Sequence, residues 1–310
     1  MRPSRADGEL GSLAQLDSGL GVGSASFRAA ARPSSDRAPG EGTMDAPRHR
    51  DSSCARRLPV RGYLLLVVVY LAIGQGLGHV LTRGLRLSYP TPPDVDATWR
   101  MLTVPVAATL LFTVAVVTAL RWWRPVWRDD RPVRSWVIVV PIVMVVSIVL
   151  VTDYGGLADR GVVFTLLLLL STVLIGFSEE LMFRGVGVVT FRGNGYREGR
   201  VALWSTIIFG VAHLANLSSE GLKTLVQVIA TIIAGYFLYL IRRRTGGILA
   251  AALVHGGWDF SLISNGVAGG QTRGLPIVAI GTLIVLAVVV LVGRKRITPV
   301  GTRSAAGGGT

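Results

Sequence analysis

Long apolar runs, separated by short segments rich in arginine, glycine and proline, make up most of the chain. About 30 Å of hydrocarbon takes roughly 20 apolar residues to cross as a helix. Eight runs approach or meet that length: 62–81, 101–120, 133–151, 162–191, 201–217, 225–241, 248–263 and 275–292. The fifth to seventh are short or interrupted by polar residues, which leaves their ends the least defined. The pattern predicts an all-α membrane protein, a bundle of about eight transmembrane helices enclosing a polar intramembrane cavity. It shows no soluble domain and no internal repeat.

Composition agrees with that prediction. Half of the 310 residues are apolar and only 16% are charged, unlike an ordinary soluble domain. The formal charge of +14 would suit a nucleic-acid partner if it were gathered on one basic domain. Instead the arginines sit in the links between runs, so the predicted partners are membrane lipids and not nucleic acid. One set of links is basic: Arg56, Arg57 and Arg61 before the first run, Arg121 to Arg134 after the second, Arg192 to Arg200 after the fourth, Arg242 to Arg244 after the sixth, and Arg294 to Arg296 after the last. The alternate links are poorer in arginine; 83–100, with three arginines against two aspartates, fits this contrast least. The positive-inside rule therefore predicts a multi-pass protein of the cell membrane with both termini in the cytoplasm.

Residues 1–57 have no sustained apolar period and are expected to form a disordered tail, with Met44 an alternative start. The transmembrane domain is expected over 58–297, with a second disordered tail at 298–310. The first run is too long for a removable signal peptide and is read as a retained helix. A single cysteine, Cys54, excludes an internal disulfide and a cysteine-based zinc cluster.

Three of the runs carry ionisable groups that hydrocarbon tolerates only when they face a bundle interior or water. The fourth contains Phe177-Ser-Glu-Glu-Leu-Met-Phe-Arg-Gly185, the fifth His213, the seventh His255 and Asp259. Residues four apart share a helical face, which pairs Glu180 with Arg184, Phe209 with His213, and His255 with Asp259. Glu179 is turned about a hundred degrees from Glu180. One carboxylate can therefore face a cavity while the other pairs with Arg184. A rise of about 1.5 Å per residue puts Glu179 roughly 18 Å, His213 about 20 Å and His255 about 16 Å from the basic ends of their runs. Three separate helices thus bring their polar groups to one depth.

A carboxylate and imidazoles at one depth are the parts needed to activate a water for hydrolysis, with the carboxylate as general base. Histidine can share the proton, donate to an oxyanion, or hold a metal that acidifies the water. Glu179, His213 and His255 are an acceptable zinc set, although there is no His-Glu-x-x-His helix, and the sequence leaves the metal open. A different class of function, a non-proteolytic protein that binds or carries a small molecule or ion, or an immunity or scaffold protein, could use the same cavity.

The ordered triplet Glu179-Glu180-x-x-x-Arg184, Phe209-x-x-x-His213 and His255-x-x-x-Asp259 resembles the CAAX-processing and bacteriocin-processing intramembrane proteases, also called the Abi family. The similar region spans about 160–265. The resemblance implies an eight-helix bundle with a cavity open to the cytoplasm, and an endopeptidase acting on a membrane-associated peptide or protein within or just below the cytoplasmic leaflet. By position, Glu179 would activate water with His213 as its partner. Glu180 and Arg184 would shape the site, and His255 with Asp259 would stabilise the oxyanion. Asp259 departs from the many relatives with asparagine there: an ionised aspartate cannot donate a hydrogen bond, so it is protonated or orients His255 or a metal.

Overall fold

The computed structural model describes residues 57–85, 87–267 and 275–298. The expectations for the two tails, Met44 and Cys54 lie outside them. Among the described residues there is no strand, and the chain is a succession of helices: α1 (Val60–Leu81), α2 (Val95–Leu120), α3 (Ser135–Val151), α4 (Tyr154–Arg160), α5 (Val162–Gly193), α6 (Glu198–Glu220), α7 (Lys223–Thr245), α8 (Ile248–Gly266) and α9 (Pro276–Arg296). Six of them, α1, α2, α5, α6, α7 and α9, are long and apolar enough to cross a membrane; α3 and α4, bent by 55° at their junction, make a seventh if they are one span. The seventh expected run is helical as α8, but His255, Asp259, Ser261, Ser264 and Asn265 make it too polar to qualify by composition. The count of eight is therefore not established. The multi-pass, all-helical architecture is.

Local chemistry explains the helix boundaries. Asp94 caps α2 through Ala97 N at 2.8 Å, and Asp153 caps α4 through Gly156 N at 2.8 Å, satisfying backbone donors that the first turn leaves open. Gly246, at φ 75°, ends α7 in the left-handed conformation that glycine adopts without a Cβ penalty. The outward faces remain apolar: Leu65 and Val68 of α1, Val162 and Val163 of α5, and Ile277 and Val292 of α9 are all largely exposed. In water such faces would be an aggregation hazard; beside acyl chains they cost nothing.

Two devices hold the helices together inside. Hydroxyl contacts join α5 to α1 and α2: Tyr70 Oη lies 2.9 Å and Thr109 Oγ1 3.0 Å from Ser178 Oγ, and Thr103 Oγ1 2.7 Å from Ser171 Oγ. Small residues bring α5 and α8 into backbone contact. A Cβ on Gly256 would stand 2.7 Å from Thr172 O and 2.9 Å from Val173 Cα, so only glycine fits.

The basic links meet in an ionic latch at one end of the bundle. Asp129, in the link after α2, takes Arg192 Nη1 of α5 and Arg242 Nε of α7, each at 2.9 Å. Arg192 also reaches Glu198 of α6 at 2.9 Å, and Tyr239 donates to the same carboxylate. Arg242, fully buried, satisfies the carbonyls of Pro125, Val126 and Arg128 as well. Burial alone would raise the Asp129 carboxyl; the guanidinium groups of Arg192 and Arg242 outweigh it and hold the group below its ordinary range.

Candidate active site

Glu179 ends the regular part of α5, and a wide π-helical turn, Glu180–Gly187, follows it. All eight residues of this turn are buried. Widening a helix displaces the usual carbonyl partners, and such turns recur at functional sites. Here the Arg184 carbonyl accepts from Arg242 Nη1 at 2.7 Å, which ties the turn to the ionic latch.

The two adjacent carboxylates have separate surroundings. Glu180 is fully buried; its Oε1 takes Arg184 Nη1 at 2.8 Å and His255 Nδ1 at 3.1 Å, while Oε2 has no partner among the described residues. Arg184, also fully buried, lies over the Phe209 ring at 3.8 Å, close enough for a cation–π attraction. The guanidinium has room because α7 offers Gly235, where a Cβ would stand 2.6 Å from Arg184 Nη2. Glu179 turns the other way and keeps 22% of its side chain open.

His255 is the junction. Its Nδ1 faces Glu180, and its Nε2 lies 3.7 Å from Glu179 Oε2 and 3.6 Å from Asp259 Oδ2. Arg184 keeps Glu180 an acceptor, so Nδ1 carries the proton in that contact. His213 is set differently: Nδ1 lies 2.9 Å from the Phe209 carbonyl, which can only accept. A neutral His213 therefore leaves Nε2 as an acceptor. The Phe209 ring stands edge-on to both imidazoles, 5.1 Å from His213 and 5.6 Å from His255.

These groups border open space. A cavity of about 660 Å³ is walled by Glu179, His213 and Asp259 together with Tyr70, Tyr89 and Phe183. A smaller one of about 180 Å³, largely apolar, reaches His213, His255 and Asp259 from the side of α3, α7 and α9. The larger is of a size to admit a water and a stretch of peptide.

Residues 161–261 match the family described as Rce1-like, "Type II CAAX prenyl endopeptidase Rce1-like". Over that stretch the chain is similar to the CAAX-protease family. It is accordingly a CAAX-protease-like membrane peptidase, a hydrolase. No curated protein and no solved structure matches it. The family match contains Glu179, Glu180, Arg184, Phe209, His213, His255 and Asp259, whereas α1 and α2, which complete the cavity wall, precede it.

The structure brings the six site residues expected from sequence into one neighbourhood, with His255 Nε2 3.7 Å from Glu179 Oε2 and His213 on the same cavity wall as Glu179. The set Glu179, His213 and His255 is not gathered as a metal-ligand group: among the described residues no three His, Cys, Asp or Glu side chains come together as ligands. Three side-chain amides escaped the sequence reading. Gln75 Nε2 donates to Asn216 Oδ1 at 3.0 Å and Asn216 Nδ2 to Gln227 Oε1 at 3.1 Å, a ladder from α1 through α6 to α7 along the cavity wall. Each is an uncharged polar residue within or beside an apolar run, a weaker signal than a carboxylate. His79 is exposed at the cavity wall.

Proposed function

We propose that this CAAX-protease-like peptidase cleaves a membrane-associated peptide with a water activated by Glu179. The observation that carries the reading is the division of labour between the paired carboxylates: Glu180 is locked by Arg184 and His255, while Glu179 opens into the cavity. In this reading a water lies between Glu179 and His213, both of which border the cavity, and His213 Nε2 orients it by accepting one hydrogen. Glu179 removes the other proton as the water oxygen bonds to the scissile carbonyl carbon. His255, when doubly protonated, donates from Nε2 to the oxyanion, held in direction by Glu180 at Nδ1 and by Asp259 beside Nε2. Collapse of the tetrahedral intermediate breaks the C–N bond. Glu179 returns its proton to the departing amine, leaving a new carboxyl and a new amino terminus. Asp259 thus acts through His255, which resolves the difficulty that an ionised aspartate cannot donate. No step is routed through a metal.

The test is cleavage of a membrane-peptide library by purified protein in detergent or liposomes. Glu179→Gln and His213→Ala are expected to stay folded, by helical circular dichroism and gel filtration, and to lose turnover by about 10²- to 10⁴-fold. If both variants cleave like the parent, the mechanism is wrong.

A further inference from the structure

We infer that the site is served from the non-cytoplasmic side, and that its substrate is an extended peptide segment presented at the outer leaflet. The inference rests on reading the Glu179 cavity as the active site. Of the elements that wall the cavity, α5 contributes its middle, Ile175 to Phe183, and the other helices contribute mainly one end. From α1 come Gly74 to Thr82, the second half; from α2 Met101 to Thr109, the first half; from α6 Ala212 to Ser219, the last turns; from α7 Gln227, near its start; from α8 Asp259 to Ile263, the second half. These ends adjoin the links after α1, α6 and α8, the last two of them poor in arginine. Gln75, His79, Ser218 and Ser219 stand exposed among the cavity-wall residues, a polar rim on that end.

The opposite end is tied by ion pairs. There Asp129, Arg192, Arg242 and Glu198 form the ionic latch, with Asp129 and Arg242 buried beneath the arginine-rich links. Basic links are retained in the cytoplasm. The two expectations drawn from sequence, termini in the cytoplasm and a cavity open to the cytoplasm, are thus incompatible in this fold, since mouth and basic links lie at opposite ends. The charge rule decides for the outer mouth. The occupant follows from the wall: the Gln75–Asn216–Gln227 ladder presents amides that both donate and accept, the complement of an extended peptide backbone leading toward Glu179.

Sidedness is read by labelling single cysteines with a membrane-impermeant maleimide. Cys54 is replaced by serine, and either Ser219→Cys, at the rim, or Gly199→Cys, exposed on the latch end, is added. Ser219→Cys is expected to react in right-side-out vesicles and not in inverted ones, with Gly199→Cys showing the reverse. Reaction of Ser219→Cys only in inverted vesicles, equally in both, or in neither while the denatured protein labels, overturns the inference. Repeating the labelling with Glu179→Gln makes the result independent of activity, so an inactive parent would sink the peptidase mechanism without touching sidedness. A peptide library added to right-side-out vesicles should then be cut, and the same library added to inverted vesicles left intact; the reverse pattern also overturns the inference.

Discussion

Glu179 and Glu180 are neighbours in sequence with opposite fates, and the difference lies in what each carboxylate touches. Glu180 has exchanged water for Arg184 and His255 in full burial, a trade in which removing one partner strands the other's charge. Glu180→Gln is therefore expected to destabilise the protein by about 3–5 kcal/mol, measured by thermal or denaturant unfolding in detergent. Replacing both partners with apolar residues, Glu180→Leu with Arg184→Met, should recover much of that loss, because a well-packed apolar pair commonly equals a buried ion pair. Activity should not return with stability, since His255 Nδ1 has lost the acceptor that fixes its ring. A double variant that is both stable and active would show that Glu180 does not position His255. Much at this scale was legible beforehand. A charge in an apolar run is conspicuous, and four-residue spacing identified the Glu180–Arg184 pair without coordinates. The neutral amides Gln75, Asn216 and Gln227 were not, because an uncharged polar residue in a span is commonplace and carries no depth signal.

At the scale of elements, the site depends on how closely α8 lies against α5. His255 reaches Glu180 only because Gly256, the next residue, lets the α8 backbone touch Thr172 and Val173. Gly256 thus serves a close helix contact. A methyl there meets backbone atoms that cannot rotate aside, so the helices must part. Gly256→Ala is expected to cost about 1–3 kcal/mol in stability. It should also lower peptide turnover more than that loss of folded protein explains, because the imidazole is carried away from Glu180. Equal stability and turnover in variant and parent would mean that the contact is looser than the structure has it. The π-helical turn after Glu179 was not legible at all. A helix closing at five residues has the same apolar periodicity over one turn as a helix closing at four, and only the placement of carbonyls such as that of Arg184 separates them.

At the scale of the whole molecule, the ionic latch joins four parts of the chain distant in sequence: the link after α2 and the helices α5, α6 and α7. Sequence reading took these arginines as topology signals, which accounts for their side of the membrane but not for Asp129, whose partners come from α5 and α7. The latch has a pH signature whose sign follows from its chemistry. Asp129 is held below its ordinary range in the folded protein, against opposing burial, by Arg192 and Arg242, so between its folded and unfolded values the unfolded chain binds more protons. Its stabilisation is complete above the unfolded carboxylate value, about 3.9, and drains away as pH falls from there through the folded value. Unfolding midpoints measured from pH 7 down to pH 3 should therefore drop at the acid end for the parent. Asp129→Asn should start lower at pH 7, by about 3–5 kcal/mol for the stranded guanidinium groups, and fall less steeply over the acid range. Parallel curves for the two proteins would mean that Asp129 is not the titrating member of the latch. A parent curve flat to pH 3 would also exclude Asp129 as the titrating group, because a deeper folded value only steepens the loss below the unfolded one.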